Sequence, residues 1–137
     1  MKNKFIFATL FCLALITSAS AQTFIANPSV KNADISKSDL RDIFSGTATT
    51  FKDGSHAVPV TLKAGSVHEE FLKAYVGKTD SGFRSAWRML VFTGQGSMPK
   101  TLDTETQVID YVASTPGAVG YVSKSTATDK VKVLSVH

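Results

Sequence analysis

The chain has 137 residues, 15 Lys+Arg against 11 Asp+Glu, and 43% hydrophobic residues. That is enough for one globular domain, too short for two full domains and too apolar for a disordered chain. The first residues read as an export leader. Lys2 and Lys4 form a basic start, Phe5 to Ile16 is an apolar run, and Ala19-Ser20-Ala21 is a small-x-small cleavage site. Residues 1–21 are therefore expected to be a signal peptide and 22–137 the working domain, periplasmic or secreted. The apolar run is shorter than a membrane span and nothing after it is apolar enough to be one. No membrane insertion is expected once the leader is cleaved.

Taking 21 residues from 137 leaves 116, and losing Lys2 and Lys4 lowers the formal charge from +4 to +2. The remaining Lys and Arg are scattered, which argues against nucleic acid or an anionic membrane as partner. Cys12, the single cysteine, lies inside the leader. The mature chain would then carry no disulfide, no thiol nucleophile and no cysteine metal ligand, and its fold would rest on packing alone.

Thr23 to Ala26 is expected as a first strand, ended by Asn27-Pro28. Ser36-x-x-Asp39 is a helix-capping pattern, followed by Leu40, Ile43 and Phe44 at helical spacing and stopped by Gly46. Asp53-Gly54 predicts a hairpin-type turn before a strand over Ala57 to Leu62. Gly65-Ser66-Val67-His68-Glu69 opens a second helix with Val67, Phe71, Ala74 and Tyr75 on one face and Gly77 as its stop. A third helix carries Phe83, Trp87, Leu90 and Val91 and halts in Thr93-Gly94-Gln95-Gly96. Thr104-x-x-Gln107 caps a fourth, with Val108, Tyr111 and Val112 inward. Pro116-Gly117 then turns the chain into a strand over Ala118 to Val122, and Val131 to Leu134 is the last strand. Strands alternating with helices define an α/β domain.

Enzyme motifs fail one after another. His68-Glu69 begins like a zinc-protease helix, but Leu72 stands where the second histidine is required. Gly94-Gln95-Gly96 is a fragment of a dinucleotide fingerprint and follows a helix rather than a strand. There is no phosphate-loop lysine motif and no Gly-x-Ser-x-Gly elbow. No catalysis, cofactor or metal is expected. What remains is the Gly65-Ser66 turn, where a strand gives way to a helix. Free N–H groups, the helix dipole and the Ser66 hydroxyl would converge there on an anion. Ser66-x-x-Glu69 is equally a capping box that would satisfy the same groups internally. His68, near this helix start, reads as an anion donor or as a solvent-facing side chain. Arg84 and Arg88, four residues apart, read as an anion clamp or as a solvated stripe beside the apolar face.

Several segments together resemble the phosphate-type periplasmic substrate-binding proteins of ABC transporters. They are Asp42-Ile43-Phe44-Ser45-Gly46, Phe51-Lys52-Asp53-Gly54-Ser55, Val58-Pro59-Val60, Gly65-Ser66, Phe71, Trp87, Phe92-Thr93-Gly94, Pro99-Lys100 and Thr115 to Val122. The resemblance implies an α/β fold of one lobe, half of a type II periplasmic binding protein, since that family clamps its ligand between two. It also implies non-catalytic binding of a small oxyanion such as phosphate, with Gly65, Ser66, Val67 and His68 as the ligand-binding residues. An ABC permease, an envelope protein or a second copy of the chain would be the partner. In the phosphate binders an arginine precedes the Gly-Ser turn and the turn continues Ser-Gly-Thr. Here those positions hold Leu62 and Ser66-Val67-His68. The alternative function is an exported interaction module that kept the lobe and lost the ligand.

Overall fold

The computed structural model describes residues 22–124, 126 and 128–137; the expected leader, with Cys12, lies outside them. Among these residues six strands form one mixed sheet: β1 (Gln22–Ala26), β2 (Asp34–Ile35), β3 (Val58–Leu62), β4 (Lys100–Leu102), β5 (Ala118–Ser123) and β6 (Lys132–Val136), in the order β2-β6-β1-β5-β3-β4. β3 runs parallel to both β4 and β5, whereas β1 is antiparallel to its neighbours β5 and β6. The helices are α1 (Lys37–Ser45), α2 (Ser66–Phe71), α3 (Asp80–Phe92) and α4 (Glu105–Ser114), and a π-helical segment, Leu72–Val76, continues α2. The short strands β2 and β4 were not expected from the sequence, because two or three residues show no period.

Local chemistry sets most boundaries. Ser36 accepts a hydrogen bond from the Asp39 N–H (3.0 Å) and starts α1, which buries Leu40, Ile43 and Phe44. Thr104 accepts from the Gln107 N–H (3.2 Å), and the Gln107 side chain accepts from the Asp103 N–H (3.0 Å), so the expected cap of α4 closes in both directions. The strand expected to end at Asn27-Pro28 does so, and Asn27 then ties β1 to α4 by donating to the Val112 and Ala113 carbonyls (2.8 and 3.1 Å).

The second helix departs from expectation. Its inward residues are Phe71, Leu72 and Val76, while Ala74 is exposed and Tyr75 and Val67 are half-buried. The Leu72 carbonyl accepts from the Gly77 N–H at 2.6 Å, five residues on. This π-type bond widens the last turn of the helix, while the buried positions His68, Phe71, Leu72 and Val76, with half-buried Tyr75, keep helical spacing and form a stripe turned away from Ala74. Val91 is likewise 42% exposed rather than in the core. α3 rests on the domain through Phe83 and Trp87, and the Trp87 indole N–H donates to the Phe44 carbonyl (2.9 Å).

The core beneath α2 is aromatic. The Phe71 ring stacks on Tyr121 (centroids 3.9 Å apart) and meets Phe44 edge-on (4.9 Å), and Phe24 closes the group at 5.9 Å from Phe71. These residues come from β1, α1, α2 and β5, so one cluster joins the sheet to the helices that precede and follow β3.

Candidate functional site

Parallel β3, β4 and β5 end along one edge of the sheet, the usual location of a ligand crevice in an open α/β sheet. The turn after β3 holds Lys63, Ala64, Gly65 and Ser66, all exposed. Gly65 has φ 105° and ψ 172°, a conformation that a side chain would strain, and open space surrounds the position a Cβ would take. Glycine is required here by backbone geometry rather than by crowding.

Gly65, not Ser66, is the N-cap of α2, and no side chain caps the helix. The first intrahelical bond runs from the Glu69 N–H to the Gly65 carbonyl (3.0 Å), so the N–H groups of Ser66, Val67 and His68 precede the ladder. This corrects the capping-box reading. Ser66 lies one residue too late to cap, and no side-chain cap bond is made at this helix start. Val67 is half-buried, and its carbonyl accepts from the Gln22 side chain (3.4 Å).

His68 overturns the solvent-facing expectation, since it is only 2% exposed. Its Nε2 lies 2.8 Å from Asp80 Oδ1, and its Nδ1 bonds the Tyr121 hydroxyl. Both ring nitrogens are thus engaged inside the protein, and only its backbone N–H faces the turn's donor set. Tyr121 Oη also accepts from the Leu62 N–H at 3.1 Å. On the other side, Asp80 Oδ2 pairs with Arg84 Nε at 3.1 Å, and Arg84 Nη2 donates to the Lys63 carbonyl at 2.8 Å. Arg84, its side chain 41% exposed, is thus tied to its own domain while still facing solvent, and Arg88 is exposed.

Partial burial works against ionising Asp80, but the hydrogen bond from His68 and the Arg84 guanidinium outweigh it and hold its carboxyl below the ordinary 3.8. Burial pushes the Tyr121 phenol well up, against the opposing pull of the Leu62 N–H. A carboxyl depressed in the folded state contributes stability above its unfolded value and loses it as pH falls through the folded one. We therefore expect the melting temperature to drop as the pH falls below about 4, with a shallower drop in Asp80→Asn. Thermal melts of both proteins over that range check this, and superimposable acid limbs would refute it.

A cavity of about 460 Å³ opens beside the turn, lined by Thr61, Lys63, His68, Asp80, Arg84 and Arg88 among others. Gly65 and Ser66 do not line it and stand on the open surface. The sequence reading reached Gly65, Ser66 and His68 but missed Asp80 and Tyr121. They stand 12 and 53 residues from His68, and no local pattern connects them.

The sheet order, the parallel trio and the antiparallel β1 make this a single mixed α/β lobe. Solved structures show the same lobe. One, from Clostridium perfringens and solved with bound phosphate, is described as a phosphate ABC transporter substrate-binding protein (TM-score 0.66, 20% identity, 85% of this chain and 44% of that one). PstS from Borrelia burgdorferi gives TM-score 0.66 at 18% identity over 85% of this chain and 47% of its own. An ABC-type phosphate transport receptor from Vibrio cholerae gives 0.57 at 14% identity, with 85% and 46% covered. The chain thus spans under half the length of these proteins. At such identities the likeness establishes the fold. No protein-family model and no curated protein matches the sequence. Among the described residues no helix is long and apolar enough to cross a membrane.

Proposed function

We propose that this lobe is a non-catalytic receptor for a small oxyanion such as phosphate, working in the bacterial cell envelope once residues 1–21 have been removed. Gly65, Ser66, Val67 and the His68 backbone form the receptor. The observation that carries this reading is the helix start at Gly65, which no side chain caps and which lies where the parallel strands end. The backbone N–H groups of Ser66, Val67 and His68 and the Ser66 hydroxyl would donate to the ion, and the helix dipole would add attraction. The His68 imidazole takes no part, because both its nitrogens are engaged. The likeness to phosphate receptors supports the choice of ion. One lobe supplies donors from one side only, so affinity is weak unless an ABC permease, an envelope protein or a second copy covers the turn.

Phosphate is expected to raise the melting temperature saturably, and Ser66→Ala to weaken that binding roughly tenfold or more. Calorimetric or thermal-shift titration with phosphate and sulfate checks this. Equal, unsaturable responses in both proteins would sink the reading.

A second reading, an interaction module without a ligand, draws on the end of α3 and the following loop. There Met89, Phe92 and Met98 are 62%, 89% and 48% exposed, an unusual outlay of apolar surface. A stable dimer by light scattering with no response to millimolar anion would favour it.

A further inference from the structure

The hydrogen bonds around His68 form a single path that begins at the last residue of β3 and ends on the first residue of the candidate turn. The Leu62 N–H donates to Tyr121 Oη, Tyr121 bonds His68, His68 bonds Asp80, Asp80 pairs with Arg84, and Arg84 donates to the Lys63 carbonyl. Leu62 and Lys63 are consecutive residues, so the path closes across the junction between β3 and the turn Lys63-Ala64-Gly65-Ser66. We propose that Tyr121, His68, Asp80 and Arg84 act together as a positioning clamp that holds the β3–α2 turn with its donors facing outward. This rests on the oxyanion reading of that turn.

The direction of each bond follows from chemistry. An ionised Asp80 only accepts, so His68 Nε2 carries the proton. Nδ1 is then free to accept the Tyr121 proton, and the phenol oxygen is left to accept from Leu62. Each donor has one acceptor, and reversing any member orphans a buried group. Tyr121 is fully buried and His68 nearly so, which makes an orphan costly and the arrangement single-valued. His68 turns inward and fixes the loop instead of touching the ion.

The test uses nitrogen-15 NMR and amide hydrogen exchange on the purified protein, alongside phosphate titration. The wild type should show the Nε2–H tautomer at His68 and a protected Leu62 amide. Tyr121→Phe keeps the ring in the core, and Asp80→Ala removes the acceptor. In both, exchange at Leu62 should rise about tenfold, with Val108 and Val112 in α4 unchanged, and phosphate should bind about tenfold more weakly. Asp80→Asn, which keeps an acceptor for His68, should restore the Leu62 protection. An Nδ1–H tautomer would overturn the clamp. So would exchange that rises equally across the domain, or Leu62 protection that survives both variants. If the wild type ignores phosphate, the receptor reading falls, while the tautomer and exchange results still decide the clamp.

Discussion

Phe71→Ala is expected to lower the unfolding free energy by about 3–5 kcal/mol. Phe71 has no exposed surface, and its ring touches Tyr121, Phe44 and Phe24. Truncation removes the aromatic–aromatic contacts and leaves a cavity whose walls belong to three other elements, β5, α1 and β1. No single neighbour can move in without giving up its own packing. A domain of this size has a total stability of only about 5–15 kcal/mol, so the variant approaches the threshold of folding. Urea denaturation followed through Trp87, the one tryptophan, measures the loss. A drop smaller than about 1.5 kcal/mol would show that the core relaxes around the gap and that the cluster is less tightly determined than its geometry implies.

Gly117→Ala should cost about 2–4 kcal/mol, although it adds only a methyl group. Gly117 has φ 77°, which alone disfavours alanine, and its new Cβ would overlap the His56 carbonyl oxygen. That neighbour is backbone and cannot swing aside. The site also begins the parallel pairing of β5 with β3, since the Gly117 carbonyl accepts from the Val58 N–H at 2.9 Å. Pushing His56 away would therefore shift the first residues of β3, whose far end carries the candidate turn. The same urea experiment checks this. A loss below about 1 kcal/mol would mean that the 56–58 segment yields freely.

Much of this architecture could be read from the chain because it is set by neighbours in sequence. Ser36, Thr104, Gly46, Gly77 and Gly117 act through bonds or dihedrals spanning a few residues, and the elements they bound appear within about two residues of expectation. The apolar residues at helical spacing in α1 and α4 likewise find the core. Failures begin where a distant group decides. The inward stripe of the second helix takes in Leu72 and Val76 in place of Ala74, while Phe71 and Tyr75 pack on the core as expected, because the groups they meet, Tyr121 and Phe24, lie far along the chain. At the turn, Ser66-x-x-Glu69 has the spacing of a capping box. Gly65 instead takes the cap position in a backbone conformation a side chain would strain, and the box does not form.

The chain alone determined that Gly65-Ser66 would join a strand to a helix, because glycine and small polar residues carry the backbone preferences such a junction needs. It also determined the alternation of strands and helices from which an α/β lobe follows. Only the tertiary structure decided what His68 is. Read locally, it is a polar residue one turn into a surface helix. In the folded protein Tyr121 and Asp80 come from β5 and α3 to meet its two nitrogens, and burial makes those bonds obligatory. A lone buried imidazole would be costly, and one with both partners supplied becomes part of the frame. That supply depends on three elements packing together, and such a condition leaves no trace in the spacing of residues along the chain.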